Sequence, residues 1–247
     1  MNKEFVEQKH WDDGYDCVPL HSAGQDEPIR ILLEKLIPRG PLTSIELGCY
    51  PGRFLAVLGA MGHELHGIDM TPRVESELPV WLAAQGHKVG SIGLGDVFKF
   101  EPGRQYDVVC SFGLIEHFSN WEELILRHIS LVAPGGFLVI TTPNFQSPIQ
   151  KVLHMALDRE NLDRHNLSSM APWRWCELAL ESGFEIIQCG GIGRFGFWTD
   201  WQRRNLLQRI VRRAILETKP LWRLAPEGTL ALAPYYAIVA RRPASQI

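Results

Sequence analysis

Between about residue 26 and residue 190, short continuously apolar runs alternate with stretches of helical periodicity. A strand that is apolar throughout must be covered on both faces, and a helix can only reach it through a crossover. The alternation therefore calls for a doubly wound α/β domain with a mostly parallel sheet. Residues 29–37 read as an amphipathic helix stopped by Pro38, Gly40 and Pro41. Residues 43–47 form a first strand, 48–52 a tight loop and 53–61 a helix. A second strand follows at 65–70, a second helix at 74–85 and a weak third strand at 87–93. A fourth strand is expected at 107–111, a helix at 121–132, a turn at Pro134-Gly135-Gly136 and a fifth strand at 137–142. Residues 172–182 read as a helix ended by Gly183, residues 184–189 as a sixth strand and residues 235–240 as the last.

Two stretches break the rhythm, 144–170 and 194–233. Loops this long in a compact domain carry binding elements, so both are read as substrate-side insertions in one domain spanning 1–247. Net charge is −3, which gives no global field for nucleic acid or membrane. From Arg194 to Arg223, however, eight basic residues face only Asp200 and Glu217, a local +6 on a body of −9. Within this stretch Leu206, Leu207, Ile210, Val211, Ala214 and Ile215 share helical spacing, with Arg203, Arg204, Arg209, Arg212 and Arg213 on the other face. Phe195, Phe197, Trp198 and Trp201 precede them. Segment 197–217 resembles an interfacial helix suited to an anionic membrane surface. The same pattern also fits a helix packed on the domain.

The five cysteines, at 17, 49, 110, 176 and 189, are odd in number and form no CxxC pair. This argues against a disulfide framework or structural zinc and for reduced thiols in the cytoplasm. The first residues are too polar for a signal peptide, and no apolar run reaches the roughly 18 residues of a membrane span. The location expected is cytoplasmic, with the basic segment as a peripheral membrane contact.

Four strand ends carry the chemistry. Residues 44–52, SIELGCYPG, run from a strand through a glycine loop into a helix in the pattern E-x-G-x-x-x-G. Gly48 admits a close backbone approach and Gly52 opens the helix. Glu46 would repel a pyrophosphate but suits a cationic amino-acid moiety, which disfavours a nicotinamide dinucleotide. Asp69, in Gly67-Ile68-Asp69-Met70, lies about 20 residues beyond the glycines, where a carboxylate accepts from ribose hydroxyls. Asp96 and Val97 can read an adenine through a side-chain acceptor and a backbone donor. The fourth strand ends at Ser111 and presents Glu116 and His117. Ligands of open parallel sheets sit beyond the strands' carboxyl ends, so Glu46, Asp69, Asp96 and Ser111 converge on one rim.

The succession ELGCYPG, GID, GDV, YDVVCSFGLIEHF and LVAPGGFLVITTPN, over residues 43–143, resembles the core of class I S-adenosylmethionine-dependent methyltransferases. The small-molecule branch that includes ubiquinone-biosynthesis O-methyltransferases is the most similar. The resemblance implies a seven-stranded Rossmann-like sheet with an antiparallel last strand and S-adenosyl-L-methionine as cofactor. Glu46, Gly48 and Gly52 would then hold the methionine part, Asp69 the ribose, and Asp96 with Val97 the adenine, with Cys49, Met70 and Ser111 also among the cofactor-binding residues. It also implies that residues 1–25 are a lid whose Trp11 and Tyr15 close over the cofactor, although both could equally pack on the sheet.

A sulfonium methyl is already electrophilic, so the chain must supply position, exclusion of water and, for an oxygen acceptor, a base. His117 is the candidate base, and Glu116 is expected to cap or fix its loop. His154, His165, Asp158, Asp163 and Asn166 are candidates to line the acceptor pocket. No ligand spacing among them supports a metal, and none is expected. The acceptor expected is a small molecule or a lipid- or glycan-linked group, methylated at oxygen. A nitrogen or carbon acceptor, an NAD-dependent oxidoreductase and a non-catalytic cofactor-binding scaffold remain as alternatives. A nucleic-acid partner is not expected, because no N/D-P-P-Y/F motif follows the fourth strand.

Overall fold

The computed structural model describes residues 18–199 and 205–244. Helix α1 (Pro28–Leu36) leads into β1 (Thr43–Leu47), α2 (Arg53–Ala60) and β2 (Glu64–Asp69). Two short helices follow, α3 (Arg73–Ser76) and α4 (Leu78–Ala84), then β3 (Lys88–Leu94) and β4 (Tyr106–Phe112). After a 3-10 turn at Ile115–His117 come α5 (Trp121–Leu131) and β5 (Val132–Pro143). The first insertion folds as α6 (Pro148–Leu157), α7 (Arg159–Asp163) and a 3-10 turn at Leu167–Ser169. Helix α8 (Pro172–Glu181) and β6 (Glu185–Ile192) follow. The second insertion carries α9 (Leu206–Glu217) and α10 (Lys219–Trp222), and β7 (Tyr235–Arg241) ends the sheet.

The seven strands lie in the order β3-β2-β1-β4-β5-β7-β6. The first five are parallel, and β7 runs antiparallel between β5 and β6. The expected doubly wound sheet is therefore present. Its central strands are buried on both sides, with Ile45, Leu47, Val109, Leu138 and Ile140 facing one helical layer and Val108, Cys110 and Val139 the other. This is why those strands read as unbroken apolar runs.

Three local expectations are corrected. The helix expected at 74–85 is two helices that break at Glu77, with Pro79 in the first turn of the second, where its missing N–H costs nothing. The turn expected at Pro134-Gly135-Gly136 lies inside β5. The register with β4 jumps there, so that Tyr106 pairs with Val132 and Val108 with Phe137. Gly135 takes φ +81°, and a Cβ on Gly136 would stand 2.8 Å from the Asp107 carbonyl oxygen, so the bulge needs both glycines. Finally, Cys176 on α8 and Cys189 on β6 are joined as a disulfide, against the reading of unpaired thiols. A spacing of 13 residues matches no motif, and only the packing of α8 on β6 brings the two sulfurs together. Among the described residues no helix is long and apolar enough to cross a membrane.

Candidate active site

β1, β2 and β4 are adjacent and parallel, with Glu46 in register with both Gly67 and Cys110, so the three strands end on one rim. Beyond β1 the chain turns sharply. Gly48 and Gly52 take φ +71° and +80°, in the left-handed region that glycine tolerates. The N–H groups of Gly48 and Cys49 both donate to the Ile68 carbonyl, at 2.9 and 3.2 Å, which ties the loop to β2.

The expected cofactor residues are brought together. The Glu46 side chain is buried, and its Oε2 has no hydrogen-bond partner. Burial, and then the negative Asp69 nearby, push its carboxyl well above the usual carboxylate range, while a backbone hydrogen bond from Leu55 and the charge of Arg53 pull it partly back. Asp69 is clamped in place: Oδ2 accepts from the Tyr50 N–H and Oδ1 from the Thr71 N–H, each at 3.0 Å. Asp96 Oδ1 accepts from the Phe98 N–H at 2.9 Å and Val97 is buried beside it, while Lys99 approaches the same carboxylate at 3.3 Å. Ser111 is buried with its Oγ unpartnered, Cys49 is buried, and Met70 is exposed at the rim. Trp11 and Tyr15 lie outside the described residues, as do Trp201, Arg203 and Arg204.

Past β4 the chain makes the 3-10 turn that carries Glu116 and His117, and the first insertion folds back onto it. The Asn166 N–H donates to the Glu116 carbonyl at 2.7 Å, and Asn166 Nδ2 donates to the Phe118 carbonyl at 3.0 Å. The loop is thus fixed through main-chain groups, and the expectation that the Glu116 side chain caps it is corrected. That carboxyl is fully buried, neither oxygen has a hydrogen-bond partner, and burial pushes it up to about 8. His117 Nδ1 lies 3.3 Å from the Arg164 carbonyl, which orients the ring.

Of the insertion residues expected around the acceptor, His165 joins the site: its ring centroid is 4.7 Å from that of His117 and 4.9 Å from that of Phe145. His154 is buried, its Nδ1 3.3 Å from an oxygen of the equally buried Asp158, and its ring meets those of Phe145, Phe197 and Trp198 at tilted or edge-on angles. Asp163 does not belong: it is exposed and pairs with Arg159 on the surface. Sequence reasoning missed Phe145 and Phe197 as companions of His154, since only the folded insertions bring them together.

These residues fit the cofactor that the motifs imply. A buried carboxylate with one oxygen unpartnered answers an ammonium group, an anchored aspartate answers vicinal hydroxyls, and a second aspartate beside a buried valine answers an amino-heterocycle.

Comparisons with known proteins agree. A family profile described as "Methyltransferase domain" matches residues 23–189. A ubiquinone biosynthesis O-methyltransferase of Rickettsia canadensis (strain McKiel) is 24% identical over 200 residues, covering 76% of this chain and 83% of that protein. The corresponding enzyme of Dechloromonas aromatica (strain RCB) is 27% identical over 146 residues, 57% of this chain. A trans-aconitate 2-methyltransferase of Methylobacterium radiotolerans is 26% identical over 140 residues, 54% of this chain. The match spans 61% of the Dechloromonas protein and 52% of the Methylobacterium protein. Among solved structures, a methyltransferase from Bacillus halodurans superposes with a TM-score of 0.58 at 15% identity, covering 89% of this chain and all of that one. The magnesium protoporphyrin IX methyltransferase of Synechocystis, solved with bound SAH, gives 0.54 at 15%, covering 87% and 80%. With the profile covering most of the chain and the sheet order and rim carboxylates in place, the chain belongs to the class I S-adenosyl-L-methionine-dependent methyltransferases.

Proposed function

We propose that this chain transfers a methyl group from S-adenosyl-L-methionine to an oxygen of a small-molecule or lipid- or glycan-linked acceptor. The observation that carries the reading is the buried Glu46, with Oε2 unpartnered, beside the anchored Asp69, on the rim that also presents His117. The bound cofactor supplies an activated methyl on a sulfonium sulfur. Glu46 with Gly48, Cys49 and Gly52 holds the amino-acid end, Asp69 and Met70 the ribose, Asp96 and Val97 the adenine, and Ser111 lines the floor. His117, in the turn beyond β4 with Nδ1 facing the Arg164 carbonyl at 3.3 Å, is the general base that takes the acceptor proton. Buried Phe145 and Phe197 and half-buried Trp198 help exclude water on the acceptor side.

The lipid-linked class is favoured by α9. None of its twelve residues is buried, and Leu206, Leu207 and Ile210 are 71%, 69% and 57% exposed. Arg209, Arg212 and Arg213 flank this apolar face, as on helices that lie on an anionic lipid surface.

Tritium-labelled cofactor with a panel of phenol, alcohol, carboxylate and amine acceptors tests the assignment. Label should enter an oxygen acceptor, and His117→Ala should lower turnover about 100-fold or more with cofactor affinity kept. Label found only on nitrogen or carbon, or unchanged turnover of the variant on an oxygen acceptor, would remove the oxygen reading.

A further inference from the structure

Glu116, His117 and His165 come from two segments nearly fifty residues apart, yet one ligand-capable atom of each lies within 4.8 Å of the others. Two further observations single this cluster out. The Glu116 carboxyl is fully buried and neither of its oxygens has a hydrogen-bond partner, an arrangement costly to keep without a cation or a proton. Both imidazoles are held the same way: His117 Nδ1 faces the Arg164 carbonyl at 3.3 Å, and His165 Nδ1 faces the Asn161 carbonyl at 2.6 Å. Histidines that bind metal through Nε2 are commonly oriented by a main-chain carbonyl at Nδ1. A backbone clamp holds the two segments together, since Asn166 bonds the Glu116 and Phe118 carbonyls.

We propose that Glu116, His117 and His165 form a three-ligand site for a first-row divalent cation of the zinc type, placed on the acceptor side of the rim. Two imidazoles and one carboxylate favour such an ion over magnesium or calcium, which prefer oxygen donors. Ligands about 2.1 Å from a tetrahedral zinc stand roughly 3.4 Å apart, so small side-chain rotations close the cluster. Three protein ligands leave a position open for an exogenous oxygen, the arrangement of a catalytic rather than a structural site.

The role follows from the oxygen-acceptor reading, on which this part of the inference rests. The cation draws electron density from the acceptor hydroxyl, whose proton leaves to solvent. The oxygen lone pair then forms the new bond to the methyl carbon as the carbon–sulfur bond breaks, its electron pair remaining on sulfur. His117 in this form is a ligand, and the cation does for the hydroxyl what the bare imidazole would do alone.

The test is titration of the chelator-stripped full chain with cobalt(II), read by visible d–d absorption, with zinc as competitor. One equivalent should bind and zinc should displace it. His165→Ala and Glu116→Gln should each weaken binding more than about tenfold. Retained affinity for S-adenosylhomocysteine shows that the variants fold. An absence of d–d bands, or unchanged binding in both variants, overturns the site. The oxygen reading fails separately. If the stripped protein methylates an oxygen at full rate while His117→Ala does not, the imidazole is the base and the cation proposal is wrong. If no oxygen acceptor is methylated but cobalt binds as described, the site stands without that role.

Discussion

Glu46→Gln should make the ligand-free protein more stable at neutral pH and a worse binder of its cofactor. The side chain is buried with Oε2 unpartnered, and desolvation together with the charge of Asp69 holds its pKa above the ordinary value. A carboxyl raised in the folded state keeps its proton where the unfolded chain has lost it. Its stabilising contribution is therefore complete below the ordinary carboxylate range, and it is lost as pH rises from there toward the folded value. The slope is at most about 1.4 kcal/mol per pH unit. Glutamine keeps the shape and removes that slope. At about 2–4 °C per kcal/mol for a domain of this size, the ligand-free variant should melt several degrees above wild type at pH 8, with little difference near pH 5. In the complex the carboxylate partners an ammonium, and losing a charged hydrogen bond costs about 1.5–3 kcal/mol, roughly a ten- to hundredfold loss of affinity for S-adenosylhomocysteine. Scanning fluorimetry and calorimetry read the two effects. A variant that binds as tightly as wild type, or melts below it at pH 8, would refute the assignment.

Other consequences are simpler to state. Asp69→Ala removes the ribose acceptor and leaves the Tyr50 and Thr71 N–H groups without their 3.0 Å partner, so affinity for S-adenosylhomocysteine should fall more than about tenfold in calorimetry. Trp175 is fully buried and its Nε1 donates to the Ser169 carbonyl at 2.7 Å, so Trp175→Ala should cost about 3–5 kcal/mol in urea unfolding. Neutralising Arg209, Arg212 and Arg213 together should abolish sedimentation with vesicles rich in anionic lipid; a wild type that never sediments would exclude the interfacial role.

Much of this fold is legible because both faces of its strands are covered. Ile45, Leu47 and Val109 are buried on one face of the sheet and Val108 on the other, which is what their unbroken apolar runs require. The cofactor rim is legible for a related reason: Glu46, Asp69 and Asp96 each sit at a strand end, and parallel topology brings strand ends together. What the sequence concealed depends on contacts between distant segments. The Cys176–Cys189 bond needs α8 to lie on β6, and the meeting of His117 with His165 needs the first insertion to fold back. The bulge in β5 hid behind Pro134-Gly135-Gly136, a string that reads locally as a turn but lies between the pairs Val132–Tyr106 and Phe137–Val108 and is bonded to Arg242 through the Gly135 N–H and the Gly136 carbonyl. Helix α9 shows the pattern expected of its sequence and adds what periodicity cannot give, that none of its residues is buried among the described residues.

The central claim is most directly tested by calorimetric titration of the purified chain with S-adenosylhomocysteine, using NAD as the control. Micromolar binding of the former and none of the latter is the predicted result. Binding of NAD in its place, or of neither ligand, would contradict the assignment of Glu46, Asp69 and Asp96 as the cofactor rim.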